Sequence, residues 1–245
     1  MAIHTSGSDR LIVALDVQNI SDAFKLIDTL YEKISWVKIG YALQKNEHAH
    51  AITHYAHAAG MKVMSDDKLF DIPSTIQSAV NSISRIADSF TIHALAGSAS
   101  VRAAAESKRK SLMLAVTILT SIQQSDMYDI GFVNEISDIV IKLAQLATHN
   151  GADGIVCSPR ELHVLHQYTD KNGLPPFITY VPGIRPAWHR RHGQDDGQKR
   201  TMTPTQAMRA GAHFLIVGRP IIQHRYPAEA AERIIEELHA DAPLF

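Results

Sequence analysis

Charge of one sign, cysteine and long apolar runs are all scarce in this chain, and each scarcity excludes something. Its 24 lysines and arginines nearly balance 25 aspartates and glutamates, leaving a formal charge of -1. No broad field therefore draws it to nucleic acid or an anionic membrane, and any anion it binds must be caught by a few local groups. A single cysteine, Cys157, excludes an internal disulfide and a cysteine-rich zinc site and fits a reducing, cytoplasmic setting. No run is apolar for long enough to span a bilayer. The polar opening, Met1 to Asp9, lacks the core of a signal peptide and is expected to be a flexible tail. His50, His54 and His57 share helical spacing, but no HExxH pattern accompanies them, so an exposed helix face is expected there rather than a metal site.

The 245 residues are 45% hydrophobic and 20% charged, enough for one substantial core. Apolar, β-branched runs recur at Leu11 to Asp16, Trp36 to Gly40, Lys62 to Lys68, Phe90 to Ala94, Leu112 to Leu119, Gly154 to Ser158, Phe177 to Pro182 and His213 to Gly218. Helical patterns separate most of them, among them Ser21 to Tyr31, Thr75 to Arg85, Glu135 to His149 and Pro227 to Leu238. Such alternation implies a parallel sheet, and eight units in this length fit a closed (β/α)8 TIM barrel of the α/β class. An open doubly wound sheet is the alternative, and the missing Gly-rich first turn counts against it. No linker is evident, so a single catalytic domain is expected over residues 10–240.

In a barrel the chemistry sits at the C-terminal ends of the strands. There the sequence places Asp16, Lys38, Asp66 with Lys68, His93, Thr120 with Ser121, Pro182 to Arg185, and Gly218 with Arg219, while the N-terminal ends carry no comparable set. The densest stretch is Ser65-Asp66-Asp67-Lys68-Leu69-Phe70-Asp71-Ile72-Pro73-Ser74-Thr75. Alternation along a strand points Asp66 and Lys68 the same way, and Pro73 can open the following helix with Thr75 in its first turn. Charges brought this close shift one another's protonation and are the raw material of proton chemistry. Loops after strands seven and eight commonly bind phosphate in this fold, which suits Arg185, Gly218 and Arg219. The long polar connection at about 186–201, carrying Gln198, is expected to be a lid that closes over that phosphate. Cys157 is read as a small buried filler.

Taken in order, Ala14-Leu15-Asp16, Lys38-Ile39-Gly40, Asp66-x-Lys68-x-x-Asp71-Ile72-Pro73-x-Thr75, Leu119-Thr120-Ser121, Pro182-Gly183-Ile184-Arg185, Gln198-Lys199-Arg200-x-Met202-Thr203-Pro204 and Val217-Gly218-Arg219-Pro220 resemble the orotidine 5'-phosphate decarboxylase family. The resemblance runs from about Leu11 to Leu238. It implies conversion of orotidine 5'-phosphate to UMP in pyrimidine biosynthesis, without metal or other cofactor. It implies that Asp16 binds the ribose hydroxyls and that Lys38, Asp66, Lys68 and Asp71 form an alternating charged array, with Lys68 as proton donor. Ser121 would bond the pyrimidine amide edge, Thr120 and Pro182 would also contact the substrate, and Arg185, Gln198, Gly218 and Arg219 would hold the phosphate. It also implies a homodimer in which Asp71 and Thr75 enter the partner's site.

Two residues depart from the family's pattern. Asp67 stands where an apolar residue is usual and should point toward the helix layer, where it needs solvent or a partner. Phe70 replaces a histidine common in bacterial relatives. Two other functions stay open at this point. A magnesium-dependent sugar-phosphate decarboxylase or aldolase shares Asp-x-Lys-x-x-Asp but has an acidic metal ligand where Lys38 stands. A non-catalytic phosphate-binding barrel would need Arg185 and Arg219 but not Lys68.

Overall fold

The structure, a computed structural model, describes residues 6–45, 49–172, 177–189, 197 and 199–239. Its eight parallel strands close into a barrel in sequence order: β1 (Leu11–Ala14), β2 (Trp36–Ile39), β3 (Lys62–Leu69), β4 (Ser89–His93), β5 (Leu112–Val116), β6 (Gly154–Val156), β7 (Ile178–Val181) and β8 (Phe214–Val217), with β8 pairing back onto β1. All eight expected strands form. Three of them, β1, β5 and β6, stop two or three residues early, and Asp16, Thr120 and Arg185 lie on the loops above the barrel rather than in its wall.

The wall is apolar on both faces because both are covered. Ile12, Trp36, Met64, Leu114, Tyr180 and Phe214 belong to the cluster inside the barrel, where the rings of Tyr180 and Phe214 stack at 4.7 Å. Leu11, Val13, Val37, Val63, Phe90 and Ile92 face the other way, into the layer beneath the helices. With side chains alternating, the inward setting of Ala14, Trp36 and Met64 carries Lys38 and Asp66 inward one pleat higher. Helices α1 (Gly7–Arg10), α2 (Ile20–Leu30), α3 (Tyr41–Gln44), α4 (Ala49–Ala58), α5 (Pro73–Ile83) and α6 (Gly97–Ser107) accompany the first half of the sheet. The second half has α7 (Gln124–Asp129), α8 (Ile136–His149), α9 (Leu162–Asn172), α10 (Pro204–Arg209), α11 (Arg219–Ile222) and α12 (Pro227–His239). Local chemistry sets several starts: Asn19 accepts from the Asp22 N–H to cap α2, Pro73 opens α5, and Thr203 and Gln206 form a capping box on α10.

One strand is irregular. Between β3 and β4, Ser65 pairs with Phe90 but Leu69 pairs with Ile92, so β3 spends four residues where β4 spends two. Lys68 takes up the slack with a left-handed backbone, φ 46°. The expected pairing of Asp66 with Lys68 is present, but through a bulge rather than plain alternation.

The N-terminal end of the barrel is not devoid of charge. The Arg10 guanidinium donates to the carbonyls of Ala212 and His213 at 2.8 and 2.9 Å, and His213 Nδ1 lies 2.8 Å from Thr179 Oγ1 and 3.2 Å from Thr179 N. These bonds tie chain segments together, and none of Arg10, Thr179 and His213 lines the cavity at the other end of the barrel. Burial, with His166 and Arg10 adding to it, pushes His213 down to about 4. A folded value below the ordinary one means that the unfolded chain takes up the proton first as pH falls. The contribution of His213 is therefore intact above about pH 6.5 and lost progressively toward pH 4. His213→Asn, whose amide oxygen can replace Nδ1 as acceptor, is expected to lose about 1–2 kcal/mol less stability than the parent between pH 7 and pH 5 in urea titrations. An equal loss in both proteins would exclude this role.

Candidate active site

A cavity of about 300 Å³ opens at the C-terminal end of the barrel, lined by Asp16, Lys38, Asp66, Lys68, Thr120, Ser121, Pro182, Arg185, Gly218 and Arg219 together with an apolar floor that includes Val116, Val156 and Ile216. Residues from seven strands or the loops after them thus meet in one place.

At its centre, both lysines reach the same carboxylate oxygen. Asp66 Oδ2 accepts from Lys38 Nζ at 2.9 Å and from Lys68 Nζ at 2.8 Å, while Asp66 Oδ1 accepts from Thr91 Oγ1 at 3.0 Å. Burial alone would raise the Asp66 carboxyl, but the two ammonium groups outweigh it and hold it at about 2. Lys38 is buried as well. Desolvation works against its charge, yet Asp66 and Asp16 together raise its pKa. Its Nζ lies 3.2 Å from Asp16 Oδ1, and the Asp16 side chain is half exposed at the cavity mouth. The result is a line of alternating charge, Asp16, Lys38, Asp66, Lys68, running from the mouth to the barrel axis.

Arg185 and Arg219 stand opposite, at the ends of β7 and β8. Gly183, φ 77°, turns the chain sharply after Pro182. Ile184 bridges to Met202, and Arg185 N–H donates to the Met202 carbonyl at 2.8 Å. These contacts bring the two roots of the 186–201 connection side by side. Half of that connection, residues 190–196 and Gln198, lies outside the described residues. Its far root is held by Arg200, whose Nη1 is 2.5 Å from Glu161 Oε1 and whose Nη2 donates to the carbonyls of Ile118 and Leu119 at 3.1 and 2.8 Å. The backbone N–H groups of Lys199 and Arg200 both reach the Thr120 carbonyl at 3.3 Å.

Asp71 and Thr75 are not in this cavity. Both are exposed, just past β3, and border a separate hollow of about 270 Å³ with Tyr41, Asp67, Lys68 and Phe70. Phe70 and Ile72 each expose 63% and Tyr41 55% of their surface beside them. The ring of Phe70 meets His93 edge-on at 6.0 Å. Asp67 does point away from the barrel axis and finds a partner. Gln44 Nε2 donates to its Oδ1 at 3.0 Å, Tyr41 Oη donates to its carbonyl at 2.6 Å, and Oδ2 is buried with no partner among the described residues. Burial chiefly, with Asp66 adjacent, pushes Asp67 up to about 6. The three helix histidines are exposed, with His57 Nε2 2.9 Å from Asp88. Cys157 is buried in the cavity's lining, and burial raises its thiol.

Two groups escaped the sequence reading. Thr91 on β4 is a threonine in an apolar strand, and only the inward setting of Ser89, Thr91 and His93, opposite in phase to Phe90 and Ile92, could have singled it out. Arg200 and Glu161 are separated by 39 residues and carry no mutual signal.

Residues 9–234 match a family described as "Orotidine 5'-phosphate decarboxylase / HUMPS family". An orotidine 5'-phosphate decarboxylase of Heliobacterium modesticaldum is 37% identical over 95% of this chain and 96% of its own length. One of Rhodopseudomonas palustris is 40% identical over 94% of each. Among solved structures, the orotidine 5'-phosphate decarboxylase of Lactobacillus acidophilus superposes with a TM-score of 0.79 at 30% identity, over 94% of this chain and 99% of its own.

Proposed function

The chain belongs to the orotidine 5'-phosphate decarboxylase / HUMPS family, and from that premise we propose how it decarboxylates orotidine 5'-phosphate to UMP in pyrimidine biosynthesis. The observation that carries the reading is the convergence of two ammonium groups on one oxygen of Asp66.

The nucleotide lies across the cavity with its phosphate at Arg185, Gly218 and Arg219, its ribose hydroxyls at Asp16 and Lys38, and its pyrimidine amide edge toward Ser121 and Thr120. Gln198 is assigned to the same phosphate. This pose brings the C6 carboxylate to Lys68 and Asp66. When the bond from C6 to the carboxylate breaks, its electron pair stays in the ring plane, out of reach of the π system, so stabilisation must be electrostatic. Lys68 supplies the positive charge and then transfers an Nζ proton to C6 as CO2 leaves. Asp66, fully ionised and pressed toward the departing carboxylate, adds repulsion that CO2 loss relieves. Its main service is to hold both lysines in place.

Every step uses side chains of the protein, so no metal or organic cofactor is assigned. A magnesium-dependent sugar-phosphate enzyme would need a cation between carboxylates of the kind found here. In this chain the Lys38 ammonium fills that space, 2.9 Å from Asp66 and 3.2 Å from Asp16.

The active form is proposed to be a cytoplasmic homodimer in which Asp71 and Thr75 complete the site of the other subunit. Their exclusion from their own cavity and the exposed Tyr41, Phe70 and Ile72 around them support this.

Incubation with orotidine 5'-phosphate should change the ultraviolet absorbance as UMP forms, and no change at any enzyme concentration would overturn the assignment. Arg219→Ala should impair kcat as well as KM by a combined ~10³-fold or more in kcat/KM, because phosphate binding energy is used to reach the transition state. Unphosphorylated orotidine should barely register the change. Equal losses for both substrates would show that Arg219 acts through the fold.

A further inference from the structure

The bulge in β3 creates a problem that a side chain of β4 solves. The two extra residues between Ser65 and Leu69 lift the Lys68 N–H out of the parallel ladder, and the left-handed backbone at Lys68 is strained for a residue with a side chain. That N–H instead donates to Thr91 Oγ1 at 2.8 Å, and the same hydroxyl donates its one proton to Asp66 Oδ1 at 3.0 Å. A hydroxyl is the neutral group able to accept from an amide and donate to a carboxylate at once. With Oδ1 engaged by Thr91, the Asp66 carboxylate is rotated so that Oδ2 faces both Lys38 and Lys68. Thr91 itself is fully buried and does not line the cavity.

We propose that Thr91 is a positioning residue for decarboxylation: its hydroxyl locks the turn at Lys68 and the rotation of the Asp66 carboxylate together, so that Lys68 Nζ is aimed at the reacting carbon. The inference rests on the assignment of Lys68 and Asp66 to the reacting end of the nucleotide. Thr91 touches no part of the substrate. It acts by removing freedom from two groups that do, and misplacement of such groups by about 1 Å costs on the order of 10²-fold in rate.

Thr91→Val keeps the shape of the side chain and removes both hydrogen bonds. It is expected to lower kcat by ~10–100-fold while UMP affinity stays within ~3-fold of the parent, because the phosphate and ribose contacts lie on other strands. Thr91→Ser, which restores the hydroxyl, should recover kcat to within ~3-fold of the parent. A Val variant with parental kcat, a Ser variant as impaired as Val, or UMP affinity falling in step with kcat would each overturn the proposal. Should Thr91→Val fail to fold, Thr91→Cys offers a thiol, a much weaker donor and acceptor, in nearly the same volume. Its kcat should drop at least ~5-fold with UMP affinity kept, and parental kcat there would equally overturn the proposal. A parent protein inactive on orotidine 5'-phosphate would refute the assignment beneath it, which separates the two failures.

Discussion

Lys68→Ala is expected to abolish turnover of orotidine 5'-phosphate while leaving UMP bound nearly as before. The substitution removes both the ammonium that faces the developing carbanion and the proton that replaces CO2, so kcat should fall by at least ~10³-fold. UMP has no carboxylate at C6, and its phosphate and ribose would be held at Arg185, Arg219, Asp16 and Lys38. The rest of the array should survive, because Lys38 still contacts Asp66 at 2.9 Å and Thr91 still donates to its other oxygen. Single-turnover kinetics with excess enzyme, paired with UMP titration, checks both halves. A variant keeping a tenth of the parental kcat would exclude Lys68 as the proton donor. A parallel collapse of UMP affinity would mean that the lysine builds the pocket instead.

Complementation between two inactive variants should test the shared site. If each site takes Lys68 from one chain and Asp71 from the other, homodimers of Lys68→Ala and of Asp71→Ala are both inactive. A mixed dimer then has one site with both defects and one with neither, because an isologous interface exchanges the same patches. Random reassortment of equal amounts makes roughly half the dimers mixed, so co-refolding should restore roughly a quarter of all sites. Variants refolded separately and then mixed without exchange should stay inactive. Heterodimers confirmed by mass spectrometry but without activity would place Asp71 in the service of its own chain. The contrast is large, a quarter of parental activity against a background near zero, so modest losses on refolding cannot hide it.

How much could be read without coordinates follows from the range of the forces involved. Eight apolar runs separated by helical patterns are local features, and a sheet covered on both faces leaves little else that such runs can become. The closed barrel and the placing of Asp16, Lys38, Asp66, Lys68, Thr120, Ser121, Pro182, Arg185, Gly218 and Arg219 around one cavity were therefore legible from order and period alone. Asp67 pointing to the helix layer was legible for the same reason, though its partner Gln44, 23 residues away, was not. Asp71 and Thr75 were legible as residues just beyond a strand. Only the folded chain shows that they border a second hollow rather than the cavity.

The details that make the charges work were decided between strands. The bulge at Ser65 to Leu69 exists because β3 and β4 keep different residue counts over one stretch of ladder, and a strand's own sequence says nothing about its neighbour's register. The left-handed turn at Lys68 is stable because Thr91, 23 residues on, receives its N–H. Lys38 comes to lie between Asp16 and Asp66 because β1, β2 and β3 are adjacent in a closed sheet. Arg200 reaches Glu161 and two carbonyls after β5 only once the barrel has brought those loops over one rim. Sequence alone thus determined which charges stand at the strand ends, since burial and periodicity act along the chain. Which oxygen meets which ammonium was left to tertiary structure, since hydrogen bonds a few ångströms long depend on the register of strands that are far apart in sequence.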